Sequence, residues 1–202
     1  DLTVAEGIYW AVDNGAKILN LSLAGFDYSQ AMRDAVRYAV NVKGAVVVAT
    51  SGNQGRDRLL YPAAYPEVVA VGASDLAGQR APYSNYGAGL DLYAPGGDLK
   101  ADRDANGTKD GILLETIKKV NNPKDFTSFK FSLGQGTSFA TPHVSALLAL
   151  MKAASKGEVG WVEQFYAIKT TSSNGLVNAL KAVSNAPSAT KPLGVLKNDG
   201  GD

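Results

Sequence analysis

The residues best suited to chemistry lie in one stretch, Gly134-Gln135-Gly136-Thr137-Ser138-Phe139-Ala140-Thr141-Pro142-His143-Val144. Its pattern predicts a helix beginning near Thr137, with Ser138 in the first turn and Pro142 tolerated because it falls close to that turn. A helix N-terminus carries unpaired backbone N–H groups and the positive end of the dipole, so negative charge developing there is stabilised. A serine at that place is a candidate nucleophile whose own backbone N–H serves as an oxyanion donor. The same residues also make an ordinary cap ahead of a buried helix, since Thr and Ser are frequent in that position.

Composition narrows the chemistry around this serine. The chain of 202 residues has no Cys and one His, which excludes thiol catalysis, disulfides, Cys-ligated zinc and any His-rich metal site. The one His, His143, follows Ser138 by five residues, about 140° round a helix axis and more than a turn further on. Its imidazole therefore does not meet the Ser138 hydroxyl, and it is not the general base. A nucleophile elbow of the form G-x-S-x-G fails because Ala140 stands two residues after Ser138. A dinucleotide fingerprint fails because Phe139 stands where the third glycine belongs. Twenty basic against nineteen acidic residues leave a net charge of +1, which argues against nucleic acid as a partner. The apolar runs at Ala45–Ala49 and Val144–Met151 fall short of the roughly 18 residues of a spanning helix, and no membrane partner is expected.

The elements that must position Ser138 read as alternating helices and strands. Thr3 and Glu6 form a capping box for a helix to about Asn14, stopped by Gly15. Lys17–Leu23 is a short apolar strand, and Gln30–Val42 a helix with Met32, Ala35, Val36 and Ala39 on one face. Three further strands follow, in "GAVVVATSGN", "PEVVAVGAS" and "GLDLYAPGG". Uniformly apolar strands separated by helices indicate an α/β fold whose parallel sheet is flanked by helices on both faces. Thr137–Ala154, Val159–Thr170 and Leu176–Val183 are expected as helices. From Ser184 the Pro/Ser/Gly-rich residues 184–202 read as a linker or tail.

Residues 98–132 break this rhythm as a polar insertion with one short strand at most. Within it Asp102, Asp104, Asn106 and Asp110, with Gly107 at the sixth position, follow the alternating oxygen spacing of a calcium loop. Leu113 holds the twelfth position and Glu115 comes two residues late, so this is not a complete EF-hand; a solvated, turn-rich loop is the other reading.

The segment "GTSFATPHV" resembles the serine motif of the subtilisin-like serine proteases. "VVVATSGNQG", "YPAAYPEVVAVGASD", "ILNLSLAG" and "YSNYGAGLDLYAPG" resemble further segments of that family, in family order. The resemblance extends over about residues 3–183. It implies a serine endopeptidase of subtilisin type, with residues 1–183 as the C-terminal part of the peptidase domain and a fold incomplete at the N-terminus. It implies Ser138 as the acyl-forming nucleophile and Asn53 as a side-chain oxyanion donor; taken alone, Asn53 beside Gly52 is equally a turn residue. A polypeptide substrate would add as a strand along Ser22, Leu23, Ala24 and Gly25, with Thr50, Ser51 and Gly52 as the opposite wall. Where Ala24 stands the family usually has Gly, and where Thr50-Ser51 stands it more often has Ala; Leu60 is expected near the pocket floor.

The family draws its triad Asp and His from motifs that would precede Asp1, and neither motif occurs in this chain. The expectation is therefore a partner segment, the N-terminal part of the same domain, without which the chain is inactive. The alternative is a catalytically inert remnant that binds peptide or serves as a structural module. Family habit implies structural calcium and an extracellular or cell-envelope location.

Overall fold

The computed structural model describes residues 2–118, 127–157 and 159–186. The first helix, α1 (Leu2–Asp13), leads into strand β1 (Ile18–Leu21). Helix α2 (Gln30–Arg37) then continues as a π-helical turn (Tyr38–Val42) into β2 (Val46–Thr50), followed by β3 (Val69–Ser74) and β4 (Leu92–Pro95). These four strands form one parallel sheet in chain order, β1-β2-β3-β4. Next come β5 (Ile112–Ile117) and β6 (Phe129–Gly134), then α3 (Thr137–Ala154), α4 (Trp161–Thr171) and α5 (Ala179–Ser184).

Both faces of the sheet are covered, which is why β2 and β3 are buried along their whole length and carry no polar alternation. The period-2 geometry of a strand still divides their side chains. Val47 and Ala49 pack with Ile8, Val12, Met32 and Val36 beneath α1 and α2. Val46 and Val48 pack with Val71, Val144, Leu148 and Ile168 beneath the C-terminal helices. The expected α/β architecture with helices on both faces is therefore present. The sheet edges differ, however. The β4 edge is covered by residues 175–177 through Tyr93 N–H to Gly175 O and Val177 N–H to Tyr93 O, whereas among the described residues no strand pairs with the outer edge of β1.

Four expectations need correction. Thr3 does not cap α1, which is already helical at Leu2; the register is set by docking Ala5, Ile8 and Val12 on the sheet, and this tertiary packing overrides the local capping signal. Ser29 is a cap that the sequence pattern did not single out, its hydroxyl accepting the Met32 N–H. The last helix begins at Ala179 rather than Leu176, because Leu176 is held in a bridge to Tyr93, and Asn178 caps the shortened helix. The region 98–132 contains two strands, not one. β5 and β6 pair antiparallel from Ile112↔Gly134 to Ile117↔Phe129, a pairing invisible locally because each residue's partner lies a dozen or more positions away. The helix expected from Val159 starts at Trp161, after Gly160. Of the expected tail, residues 187–202 lie outside the described residues.

Two leucines on α3 test this assignment of faces. Leu148 is fully buried between helix and sheet, whereas Leu150 is 58% exposed. Leu148→Ala is expected to cost about 2–5 kcal/mol in urea unfolding. Leu150→Ala should stay within about 0.5 kcal/mol of the parent.

Candidate active site

The N-terminus of α3 meets the C-terminal end of the parallel sheet, and its unpaired backbone groups find their partners there. Asn53, in the turn after β2, accepts the Thr137 N–H and the Thr137 hydroxyl through Oδ1, each at 2.8 Å. A backbone N–H can only donate, so the amide orientation is unambiguous: the oxygen faces Thr137 and the Nδ2 group points away. Ser138 N–H has no acceptor among the described residues. A methyl group built on Gly136 would lie 3.7 Å from Asn53 Nδ2 and 3.7 Å from Ser138 N. Both donor nitrogens thus lie at equal distance from one point beside Gly136, with Phe139 Cδ2 also 3.7 Å from it. The Gly136 φ of 152° belongs to the backbone region open almost only to glycine.

Ser138 is joined to the strand segment after β1 by a reciprocal pair of contacts. Pro142 has no N–H to offer the carbonyl four residues earlier, so the Ser138 carbonyl is left without its helical partner. The Ser22 hydroxyl donates to it at 2.9 Å. In return the Ser138 hydroxyl lies 3.3 Å from the Ser22 carbonyl, an acceptor that directs its proton but is too weakly basic to remove it. Asn20 supports Ser22, donating to its hydroxyl at 2.9 Å, and itself accepts from Ser145. His143 is turned elsewhere, with Nδ1 2.7 Å from the Phe139 carbonyl, in keeping with the expectation that it is not the base.

The other expected site residues divide into two sets. Ser22, Leu23, Ala24 and Gly25 are exposed, and among the described residues no backbone hydrogen bond engages Leu23 or Ala24, while Gly25 exchanges two with Tyr61. Beside them is a cavity of about 240 Å³ lined by Val4, Leu23, Gly25, Met32, Tyr61 and Tyr65. Thr50 and Ser51, by contrast, are buried, and their hydroxyls engage Thr137 and the Asn85 carbonyl. They present no side chain to the cleft. Gly52 adopts φ of 112°, and a methyl there would sit 2.4 Å from Asn85 Nδ2 and 2.9 Å from Leu60 Cδ1. Leu60 thus packs beneath this turn.

Two supporting residues escaped the sequence reading. Asn85, almost fully buried, accepts Gln54 N–H and Arg56 N–H through Oδ1 and so shapes the turn that carries Asn53. The Tyr83 hydroxyl accepts Gly136 N–H at 3.0 Å and lies 2.8 Å from the carbonyls of Gly96 and Gly97. Both contacts span dozens of residues, and "YSNY" carries no local signal of either role.

In the insertion, carboxylate oxygens of Asp102, Asp104 and Asp110 lie within 4.8 Å of one another. Asp102 also accepts Asn106 N–H and Gly107 N–H, and Asp110 accepts Arg103 N–H. Asn106 differs from expectation: its amide nitrogen donates to Asp104 and its oxygen accepts Thr108 N–H. It therefore braces the loop in this arrangement, leaving three carboxylates as the oxygen donors.

Comparison with known proteins places this geometry in context. Residues 1–193 match the family described as "Subtilase family". Alkaline elastase YaB of Bacillus sp. (strain YaB) is 39% identical over 149 residues, 74% of this chain and 33% of the relative. Subtilisin BL of Lederbergia lenta is 37% identical over 150 residues, 74% of this chain and 47% of the relative. The chain thus spans between a third and about half the length of these relatives. Among solved structures, a protease from Pseudoalteromonas arctica PAMC 21717 superposes with a TM-score of 0.79 at 29% identity, covering 92% of this chain and 58% of the other. The prenylagaramide maturation protease PagA gives 0.73 at 26%, covering 92% and 67%.

Tyr83 provides a pH test of the packing behind Gly136. Burial is the main cause pushing its hydroxyl up to about 12, against the opposing pull of the Gly136 N–H and with the negative charge of Asp98 adding to the rise. Between the ordinary tyrosine value near 10 and about 12, the unfolded chain releases this proton while the native state holds it. Stability is therefore intact below about pH 10 and falls as pH rises through that window. Tyr65 and Tyr93 are raised by burial as well, so Tyr83→Phe should flatten the alkaline decline in urea-unfolding stability without abolishing it. An unchanged slope would contradict this role for the buried hydroxyl.

Proposed function

The chain belongs to the subtilase family, and on that premise we propose that it is the C-terminal part of a serine endopeptidase domain acting through an acyl-enzyme on Ser138. The observation that carries this reading is that Asn53 Nδ2 and the backbone N of Ser138 both lie 3.7 Å from one point beside Gly136. A peptide carbonyl attacked by Ser138 Oγ would place its oxyanion between those two donors, where fixed N–H groups stabilise charge without reorganising. The intermediate then collapses to an ester on Ser138 with release of the amine, and water hydrolyses the ester. The substrate would lie as an added strand against residues 22–25, where among the described residues the backbone groups of Leu23 and Ala24 carry no backbone hydrogen bond and a cavity adjoins them.

The base and its orienting carboxylate would come from a partner, the N-terminal part of the same domain. Two observations support this. Ser138 donates only to a carbonyl, with His143 turned away. Among the described residues the outer edge of β1 is unpaired, and beside it a cavity of about 330 Å³ runs between α1 and β1, lined by Val4, Gly7, Ile8, Ala11, Ile18 and Leu21 among others. An unpaired edge with an adjoining apolar groove is a template for a further strand. The proposed setting is extracellular or cell-envelope, with no nucleic-acid or membrane partner; no helix among the described residues is long and apolar enough to cross a membrane.

Calcium is proposed as a structural ion. The fit rests on the donor set, three carboxylates with oxygens within 4.8 Å of one another, all hard ligands of the kind this cation takes. Asp102, Asp104 and Asp110 would hold it, and its charge would offset their mutual repulsion and fasten the insertion.

A fluorophosphonate probe tests the catalytic reading, because only an activated serine reacts. The chain alone should not label; the chain preceded by its Asp- and His-bearing segment should, at Ser138, with labelling lost in Ser138→Ala. Failure of the completed protein to label would favour the inert, peptide-binding alternative. In the completed protein Asn53→Leu should lower kcat by about 10²–10³, a magnitude carried over from a subtilisin's own side-chain donor. For the ion, calorimetric titration should show calcium binding that disappears in the Asp102→Asn/Asp104→Asn double variant. No binding heat in the parent would remove the site.

A further inference from the structure

The hydrogen bonds that Asn53 accepts from Thr137 continue to a buried position one step removed from the site. The Thr50 hydroxyl, at the end of β2, hydrogen-bonds the Thr137 hydroxyl, which in turn donates to Asn53 Oδ1. Thr50 is 2% exposed and Thr137 fully buried, so water does not compete for the bond between them, whereas Asn53 at the outer end is exposed. The order of protons along the chain follows from counting donors. Thr137 N–H must donate, which fixes Oδ1 as the face of Asn53 turned toward it. Oδ1 can only accept, so the single hydroxyl proton of Thr137 goes to Asn53. Thr137 Oγ1 then has only lone pairs left for Thr50, and Thr50 must be the donor. The relay runs in one direction: Thr50 Oγ1–H to Thr137 Oγ1–H to Asn53 Oδ1.

We propose that Thr50 is a positioning residue for the oxyanion site, holding the Thr137 hydroxyl rotor so that the Asn53 amide keeps its Nδ2 aimed at the oxyanion. This rests on the catalytic reading above and adds to it the residue that sets the donor's direction. Thr50 touches neither substrate nor the reacting atoms. A donor aligned in advance spends no free energy on reorientation as charge develops, and each bond in such a chain polarises the next.

The test uses the completed, fluorophosphonate-reactive protein, with active-site titration so that only folded, competent enzyme is counted. Thr50→Val keeps the shape and removes the hydroxyl. It should lower kcat by about threefold to tenfold with KM within about twofold, the pattern of an interaction realised in the transition state. Thr50→Ser keeps a hydroxyl and should restore at least half of the parent kcat. Because Thr50 acts through Thr137, adding Thr50→Val to Thr137→Val should cause no further loss, a non-additivity expected of groups in one chain. A Thr50→Val enzyme with parental kcat, or losses that simply multiply in the double variant, would overturn the role of Thr50 alone. A parent protein that neither hydrolyses peptide nor labels would instead overturn the catalytic reading on which it rests. A merely structural role predicts a lower melting temperature with unchanged kcat per titrated site, which also counts against the proposal.

Discussion

The arrangement at the sheet's C-terminal end depends on how the first turn of α3 satisfies its backbone. A helix start leaves N–H groups without acceptors, and Pro142 additionally deprives the Ser138 carbonyl of a donor. Asn53 from the turn after β2 takes the Thr137 N–H, and Ser22 from the segment after β1 supplies the Ser138 carbonyl. These two contacts fasten the helix to two different strand ends. Among the described residues the Ser138 N–H is the donor they leave over, and its nitrogen lies as far from the Gly136 methyl position as Asn53 Nδ2 does, 3.7 Å. The site is thus the residue of an otherwise completed hydrogen-bond account, and its geometry is as rigid as the sheet behind it.

That rigidity comes from burial on both faces of β2 and β3. The sheet places the ends of successive parallel strands side by side, so segments separated by dozens of residues arrive at one edge. The α3 core residues Val144, Leu147, Leu148 and Met151 lie against the sheet and fix the height at which Thr137 and Ser138 emerge. Behind the helix start, the half-buried Tyr83 holds Gly136 through its hydroxyl, while Asn85 holds the turn around Gly52. Polar groups of this kind are costly to bury unless satisfied; here each one holds a loop that carries a site residue.

The two sheet edges show what the fold asks of its surroundings. Residues 175–177 close the β4 edge and shorten the last helix in doing so, whereas among the described residues the β1 edge is unpaired, beside a groove lined mostly by apolar side chains. The ribbon of β5 and β6 uses another solution. It pairs with itself, turns Ile112 and Leu114 inward, and leaves Leu113, Phe129 and Phe131 exposed.

Much of this was legible in the sequence. The apolar runs of β2 and β3, the helical spacing in α2 and α3, and Ser138 two residues after Gly136 determine the layered α/β fold and the position of the candidate nucleophile, because each depends on neighbours within a turn or a strand. The lone His143 is also legible as no partner of the Ser138 hydroxyl, since helical spacing alone separates the two. Only the tertiary structure decided which amide face Asn53 presents, that Thr50 and Ser51 point inward, that Leu176 pairs with β4, and that Asn106 braces its loop. Each of these follows from a hydrogen bond whose partner is selected by three-dimensional packing. A side chain's composition states what it can donate or accept; the fold alone decides which group is there to receive it.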